Sequence, residues 1–265
     1  MKKKKESMLW RVDGEGLPGT SYILGTMHIR DRRAFSLLDL VYEKIRACTA
    51  FAAEINLEVT DHQQEMMAMR IESFQWLDQI LSPHRYEKMR KIILKGTGLD
   101  LHFYRFLHPM IINNLIVEHI LSREMSISLD RHLWDFAAEA DKEMLGIETF
   151  QEQFSLMEKI PFHRHLRDLV TMSQNFSRQR RQMHQLVELY EQGALQRLHQ
   201  SSKKGAGAFR AMMIYDRNER MAARIADMVR ERTLFCAIGA GHLGGGKGIL
   251  RKLKQLDFSV KPVFA

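Results

Sequence analysis

Short apolar strands stand at both ends of this 265-residue chain, and helical patterns fill the middle. Residues 8–12 and 21–24 flank a Gly/Pro/Asp cluster at 13–19 and read as a hairpin. Further strands are expected at 49–53, at 143–147 and at 233–238, the last fully apolar. Residues 258–263 contain Pro262 and read as an edge strand, since proline removes a ladder hydrogen bond. Elsewhere the apolar residues recur at helical spacing. Ser36 is expected to cap a helix carrying Leu37, Leu40, Val41 and Ile45. Helices are expected from 61 to about 121, with openings at Ser82-Pro83 and His108-Pro109, where proline's missing N–H does no harm. Another follows Asp130, more run from 149 to 200, and one long helix covers 212–232. The Ser/Lys/Gly stretch 201–207 reads as a mobile linker. This distribution predicts an α/β fold. A mixed central sheet is assembled from N- and C-terminal parts, with a helical insertion or cap over about 60–125 and 155–210. Residues 8–265 are expected to form a single domain and residues 1–7 a basic disordered tail.

Composition removes several classes. Hydrophobic residues make up 45% and charged residues 27%, which excludes collagen, rod and wholesale disorder. Two cysteines, Cys48 and Cys236, cannot build a disulfide framework or a Cys-rich zinc site. The longest nonpolar run falls far short of the ~20 residues that span a bilayer, and no apolar stretch follows the N-terminal lysines. A cytoplasmic protein with no integral membrane segment is expected. The net charge is +8, half of it from Lys2 to Lys5. A second basic cluster, Arg164, Arg167, Arg178, Arg180 and Arg181, lacks the aromatic interleaving of a single-strand binder. No nucleic-acid module signature is present, so nucleic acid is not an expected partner.

Four apolar strands run into residues able to do chemistry. One leads through Gly25-Thr26-Met27 to His28, one to Glu54, one to Glu148, and one through Gly239-Ala240-Gly241 to His242. In open α/β sheets ligands bind beyond the carboxyl ends of parallel strands. Neighbouring strands would therefore bring two imidazoles and two carboxylates to one rim. Two histidines, His28 and His242, with one of the carboxylates Glu54 and Glu148 are a workable shell for a divalent ion such as Zn²⁺, Mn²⁺, Fe²⁺ or Co²⁺. Glycines at the rim let backbone approach a bound group closely. Arg217 and Asn218 share or border the apolar face set by Ile214, Met221, Ile225 and Met228. An arginine there needs a partner. A carboxylate such as Glu54 or Glu148 would serve, and so would a substrate carbonyl or carboxylate. There is no His-Glu-x-x-His helix and no Gly-x-Ser-x-Gly elbow. Gly244-Gly245-Gly246-Lys247-Gly248 lacks the spacing and hydroxyl of a phosphate loop.

The chain resembles the TraB/PrgY/GumN family, relatives of the TIKI metalloproteases. The matching segments are Leu9-Trp10-Arg11-Val12, residues 21–28, Ala53-Glu54-Ile55, Gly146-Ile147-Glu148-Thr149 with Glu152-Gln153, Asp216-Arg217-Asn218 with Met221, and Ala237-Ile238-Gly239-Ala240-Gly241-His242-Leu243. The resemblance implies a fold related to the erythromycin-esterase and ChaN-like groups, and a divalent-metal peptidase activity. It carries functional positions onto His28, Glu54 and His242, supported by Glu148 and Arg217. On this reading the chain is a metal-dependent, peptidase-like hydrolase of a peptide or small amide. His28, Glu54 and His242 hold the ion, which lowers the pKa of its water towards ~7. Glu54, Glu148 and Arg217 supply acid–base and oxyanion chemistry. Gly25, Arg217, Asn218 and Gly239 contact substrate. The alternative is a protein that binds and sequesters a peptide without cutting it.

Overall fold

The computed structural model describes residues 6–57, 69–121 and 124–264. Most of the expected basic tail, and the part of the helical region at 61–68, lie outside these residues.

Six strands form one mixed sheet: β1 (Leu9–Asp13), β2 (Ser21–Thr26), β3 (Ala50–Ile55), β4 (Glu143–Glu148), β5 (Leu234–Gly239) and β6 (Ser259–Val263), in the order β4-β3-β5-β2-β1-β6. β4, β3, β5 and β2 run parallel, whereas β1 is antiparallel to both β2 and β6. β6 is an edge strand with Pro262 opposite Trp10, a place where a missing N–H is tolerated. Successive residues of β3 and β5 are buried, so both sheet faces are covered, as parallel strands require. Phe51 and Phe235 stack on the sheet with centroids 5.8 Å apart. Cys48 and Cys236 are buried free thiols, and burial raises both pKa values.

Besides a short turn of helix at Leu77–Ile80, the α-helices among the described residues are α1 (Leu38–Arg46), α2 (Pro83–Thr97), α3 (Pro109–His119), α4 (Leu129–Glu139), α5 (Phe150–Glu158), α6 (Phe162–Gln174), α7 (Phe176–Glu191), α8 (Leu195–Ala206), α9 (Arg217–Glu231), α10 (Ala240–Leu243) and α11 (Ile249–Gln255). Helix α4 packs on β3 and β4, α10 on β2 and β5, and α9 on β4 and α11. A second apolar cluster lies within the helical part, where Tyr86, Met89, Ile93, Ile112, Ile116 and Leu169 of α2, α3 and α6 pack together. Phe176 touches both clusters.

Three local expectations change. Ser36 does not cap a helix. Asp31 accepts the Arg33 N–H at 3.0 Å and winds a 3₁₀ turn at Arg32–Phe35, and α1 begins only at Leu38. The stretch 201–206 is not a linker but the last turns of α8. Leu195, Leu198 and His199 are buried against the β5–α10 region, and such packing outweighs a weak local preference. The long helix opens with a π-helical turn, Ala211–Asp216, before α9 continues from Arg217. Ser7 is buried and donates its hydroxyl to Val263 O.

Candidate functional site

The register of the parallel strands assembles the site. Gly25 lies opposite Ile238 and Thr26 opposite Gly239, so the two Gly-x-x-His segments leave adjacent strands at matched height. Ala53 pairs with Ala237, and Ile55 with Glu148, which puts Glu54 and Glu148 at the same rim.

Arg217, the first residue of α9, enters between these carboxylates. Its Nη2 lies 2.5 Å from Glu148 Oε2 and 2.9 Å from Glu54 Oε2, while Nε donates to Glu148 Oε2 at 3.0 Å. Of the partners the sequence left open for Arg217, a carboxylate of the chain or a group of the substrate, the structure shows the first, and both Glu54 and Glu148 take part. Glu148's side chain is fully buried. Gln153 of α5 donates towards both acids, 3.1 Å from Glu148 Oε2 and 3.4 Å from Glu54 Oε2. The helix that places it starts with a capping box, in which Thr149 accepts the Glu152 N–H and Glu152 accepts the Thr149 N–H. Arg224 clamps Glu152 and the Ile147 carbonyl, fixing the end of β4. Glu54 Oε1 accepts the Gly239 N–H at 2.8 Å. Burial pushes the Glu54 pKa up, but His242, Arg217 and that N–H outweigh it and bring it down to about 2.

His242, on α10, faces the same group. Its Nε2 lies 3.4 Å from Arg217 Nη1 and its Nδ1 2.7 Å from Asn218 Oδ1. Burial leads the factors that lower its pKa, and Arg217 acts in the same direction. The imidazole is therefore neutral near pH 7. Asn218 is completely buried and contacts His242 and Lys247 O rather than open space. Gly25 is buried beneath α10, with its carbonyl accepting the Tyr190 hydroxyl.

His28 has different partners. Its Nε2 is 3.4 Å from Glu118 Oε2 and its Nδ1 3.6 Å from Asp130 Oδ2. These residues belong to α3 and α4, and Thr26 Oγ1 donates to Asp130 Oδ1. Asp130, then Glu118, raise the His28 pKa. With 63% of its side chain in solvent, the ring feels a screened version of that pull. The expected metal set is thus divided: Glu54 and His242 share one network and His28 joins another. Both Glu54 oxygens accept protein N–H groups, a guanidinium already neutralises the acids, and both His28 nitrogens face Glu118 and Asp130. Among the described residues no three His, Cys, Asp or Glu side chains form a group that could hold a metal ion. These residues, so arranged, do not fit the expected three-donor shell.

Beside the carboxylates a cleft of about 450 Å³ opens, with Arg217 and Gln153 in its lining. Met110, Asn113 and Asn114 of α3, Leu156 and Met157 of α5, and Met213 of the π-helical turn form its walls. The cleft thus offers amides and apolar surface next to a charged centre.

The TraB/PrgY/gumN family model matches residues 8–262, nearly the whole chain. The chain belongs to this family. Among curated proteins, Metalloprotease TIKI1 of Xenopus tropicalis is 40% identical over 55 residues, which is 20% of this chain and 11% of that protein. Metalloprotease TIKI2 of the same organism is 39% identical over 56 residues, again 20% and 11%. The chain therefore matches a small part of these relatives' length. No solved structure matches it. For this family member, no helix among the described residues is long and apolar enough to cross a membrane.

Gln153, Glu118 and Asp130 were not among the candidate site residues read from sequence, although Gln153 stands in a segment that carries the family resemblance. The Thr149-x-x-Glu152 spacing carries a signal for Gln153, because a capping box puts the next residue on the first turn of a helix leaving the rim. Glu118 and Asp130 carry none, since they sit on helices of the middle region.

Proposed function

We propose that this family member is a peptidase-like hydrolase, acting on a peptide or small amide laid in the cleft beside Arg217. The observation that carries the reading is the place of His242: its Nε2 lies 3.4 Å from Arg217 Nη1 at the carboxyl end of the sheet, and burial lowers the ring's pKa. A water that takes the place of Arg217 Nη1 at the Nε2 lone pair gives that nitrogen a proton while its oxygen attacks the carbonyl carbon. Arg217 Nη1 donates to the oxyanion that forms. Collapse of the tetrahedral adduct expels the amine, which takes the proton back from His242. Glu54, ionised and adjacent, favours the transient imidazolium. Glu148 holds the guanidinium in place, and Gln153 braces both carboxylates. The C-terminal end of parallel strands and the partial likeness to two metalloproteases support the same class of reaction.

Engagement of both carboxylates by Arg217 favours a second reading, a peptide-binding protein that does not cut. The deciding experiment incubates the full chain with a peptide library, with chelator and separately with Mn²⁺, Co²⁺ or Zn²⁺, and follows products by mass spectrometry. Turnover that falls at least tenfold in His242→Ala is expected. Tight binding with no product under any condition would establish the binder. Turnover that appears only with a divalent ion would make His242 Nε2 a ligand rather than a base.

A further inference from the structure

The glycine-rich turn at 244–248 looks like a phosphate cradle in sequence, but it faces the protein. Lys247 O accepts from Asn218 Nδ2 at 2.8 Å. A carbonyl can only accept, so the amide nitrogen of Asn218 must face Lys247 and its Oδ1 must face His242. Oδ1 in turn lies 2.7 Å from His242 Nδ1, and an amide oxygen can only accept, so Nδ1 carries the proton. Arg217 Nη1, a donor without a lone pair, stands 3.4 Å from Nε2 and demands an acceptor there. Two neighbours on opposite sides of the ring thus call for one tautomer.

The backbone bearing that ring is held as well. His199 of α8, 4% exposed, has its Nδ1 2.7 Å from Gly241 O. The turn lies close against His199: a Cβ at Gly245 would meet its Nε2 at 2.4 Å. Asn218 is 0% exposed, so it acts through His242 and not on substrate.

We propose that the 244–248 turn is a positioning device, in which the Lys247 carbonyl orients Asn218 and Asn218 locks His242 in the Nδ1–H form with a lone pair on Nε2. Asn218 is then a positioning residue for the proton acceptor. The inference deepens the hydrolase reading of His242, yet it concerns the free protein and is tested without substrate.

The test is ¹⁵N–¹H correlation spectroscopy of the full chain labelled at histidine, with the His242 signals assigned by their loss in His242→Gln. The wild type is expected to show protonated Nδ1 and unprotonated Nε2 at pH 7. Asn218→Leu, which removes both hydrogen bonds at similar volume, is expected to give a mixture of tautomers. Asn218→Asp keeps an acceptor for Nδ1–H and is expected to retain the tautomer, with the ring's pKa moved upward by the added charge. A wild-type His242 protonated at Nε2 overturns the proposal. So does an Asn218→Leu protein that is folded and keeps the pure Nδ1–H form. If Asn218→Leu does not fold, the wild-type tautomer and the Asn218→Asp shift decide. If turnover exists, Asn218→Leu is expected to lower kcat by up to about 100-fold, the cost of misplacing a reacting group, and Asn218→Asp is expected to restore part of it with a displaced pH profile. A locked tautomer with no turnover on any peptide would overturn the hydrolase reading and leave this one standing.

Discussion

Arg217 Nη2 lies 2.5 Å from Glu148 Oε2, and the Glu148 side chain has no solvent exposure. Removing one member of such a pair strands a charge in the interior, which costs about 3–5 kcal/mol. Arg217→Met is therefore expected to lose that much stability in urea denaturation. The double variant Arg217→Met with Glu148→Met is expected to lose less than the sum of the single losses, because the stranded Glu148 charge is gone and only Glu54 is left without its guanidinium. Strict additivity would contradict the pairing.

Glu54 gives a pH dependence with a definite sign. Its folded value is depressed from 4.5 to about 2, so the folded form holds fewer protons than the unfolded chain between these values. The stabilisation is complete above about pH 4.5 and is lost as pH falls towards 2. Acid unfolding of the wild type is expected to steepen in that window, and Glu54→Gln is expected to flatten it. Circular dichroism against pH at fixed urea reads the slope.

His28 has the opposite sign. Its value is raised above 6.5 by Asp130 and Glu118. The contribution is fully present below 6.5 and is lost as pH rises through the folded value. The NMR titration midpoint of the His28 ring is expected above 6.5, moving down in Glu118→Gln and in high salt, which screens an exposed pair. A midpoint at or below 6.5 in the wild type would refute the pairing.

Two neighbouring glycines are expected to differ. Gly245 has φ +82 and no room for a Cβ beside His199, whereas Gly246 has nothing within 4 Å. Gly245→Ala is expected to cost about 1–3 kcal/mol through the strained backbone and the displaced ring, with Tm falling accordingly. Gly246→Ala is expected to leave Tm nearly unchanged. Equal Tm values for the two variants would remove the close packing of this turn on His199.

The rim of the sheet was readable in one dimension because strands announce themselves locally. Leu234 to Ile238 are apolar at every position, and Glu54, Glu148 and the Gly239–His242 segment each follow such a run. Parallel register then has little freedom: once β3, β4 and β5 align, their last residues meet. Arg217 was legible for a similar reason, as a cation on the apolar face of a helix that must find an anion. Ser201 to Ala206 misled because composition reports intrinsic preference, while His199 and Leu198 on the same helix dock into the core and carry the segment with them.

The sequence by itself determined the α/β class, a sheet drawn from both ends of the chain with a strand from its middle, and which residues stand at the strand ends, because these follow from periodicity along neighbouring positions. Only the tertiary structure decided that His28 turns to Glu118 and Asp130 while His242 turns to Arg217 and Asn218. Those choices depend on where α3, α4 and α9 come to rest against the sheet, and ion pairs between residues a hundred positions apart leave no periodic trace in the chain.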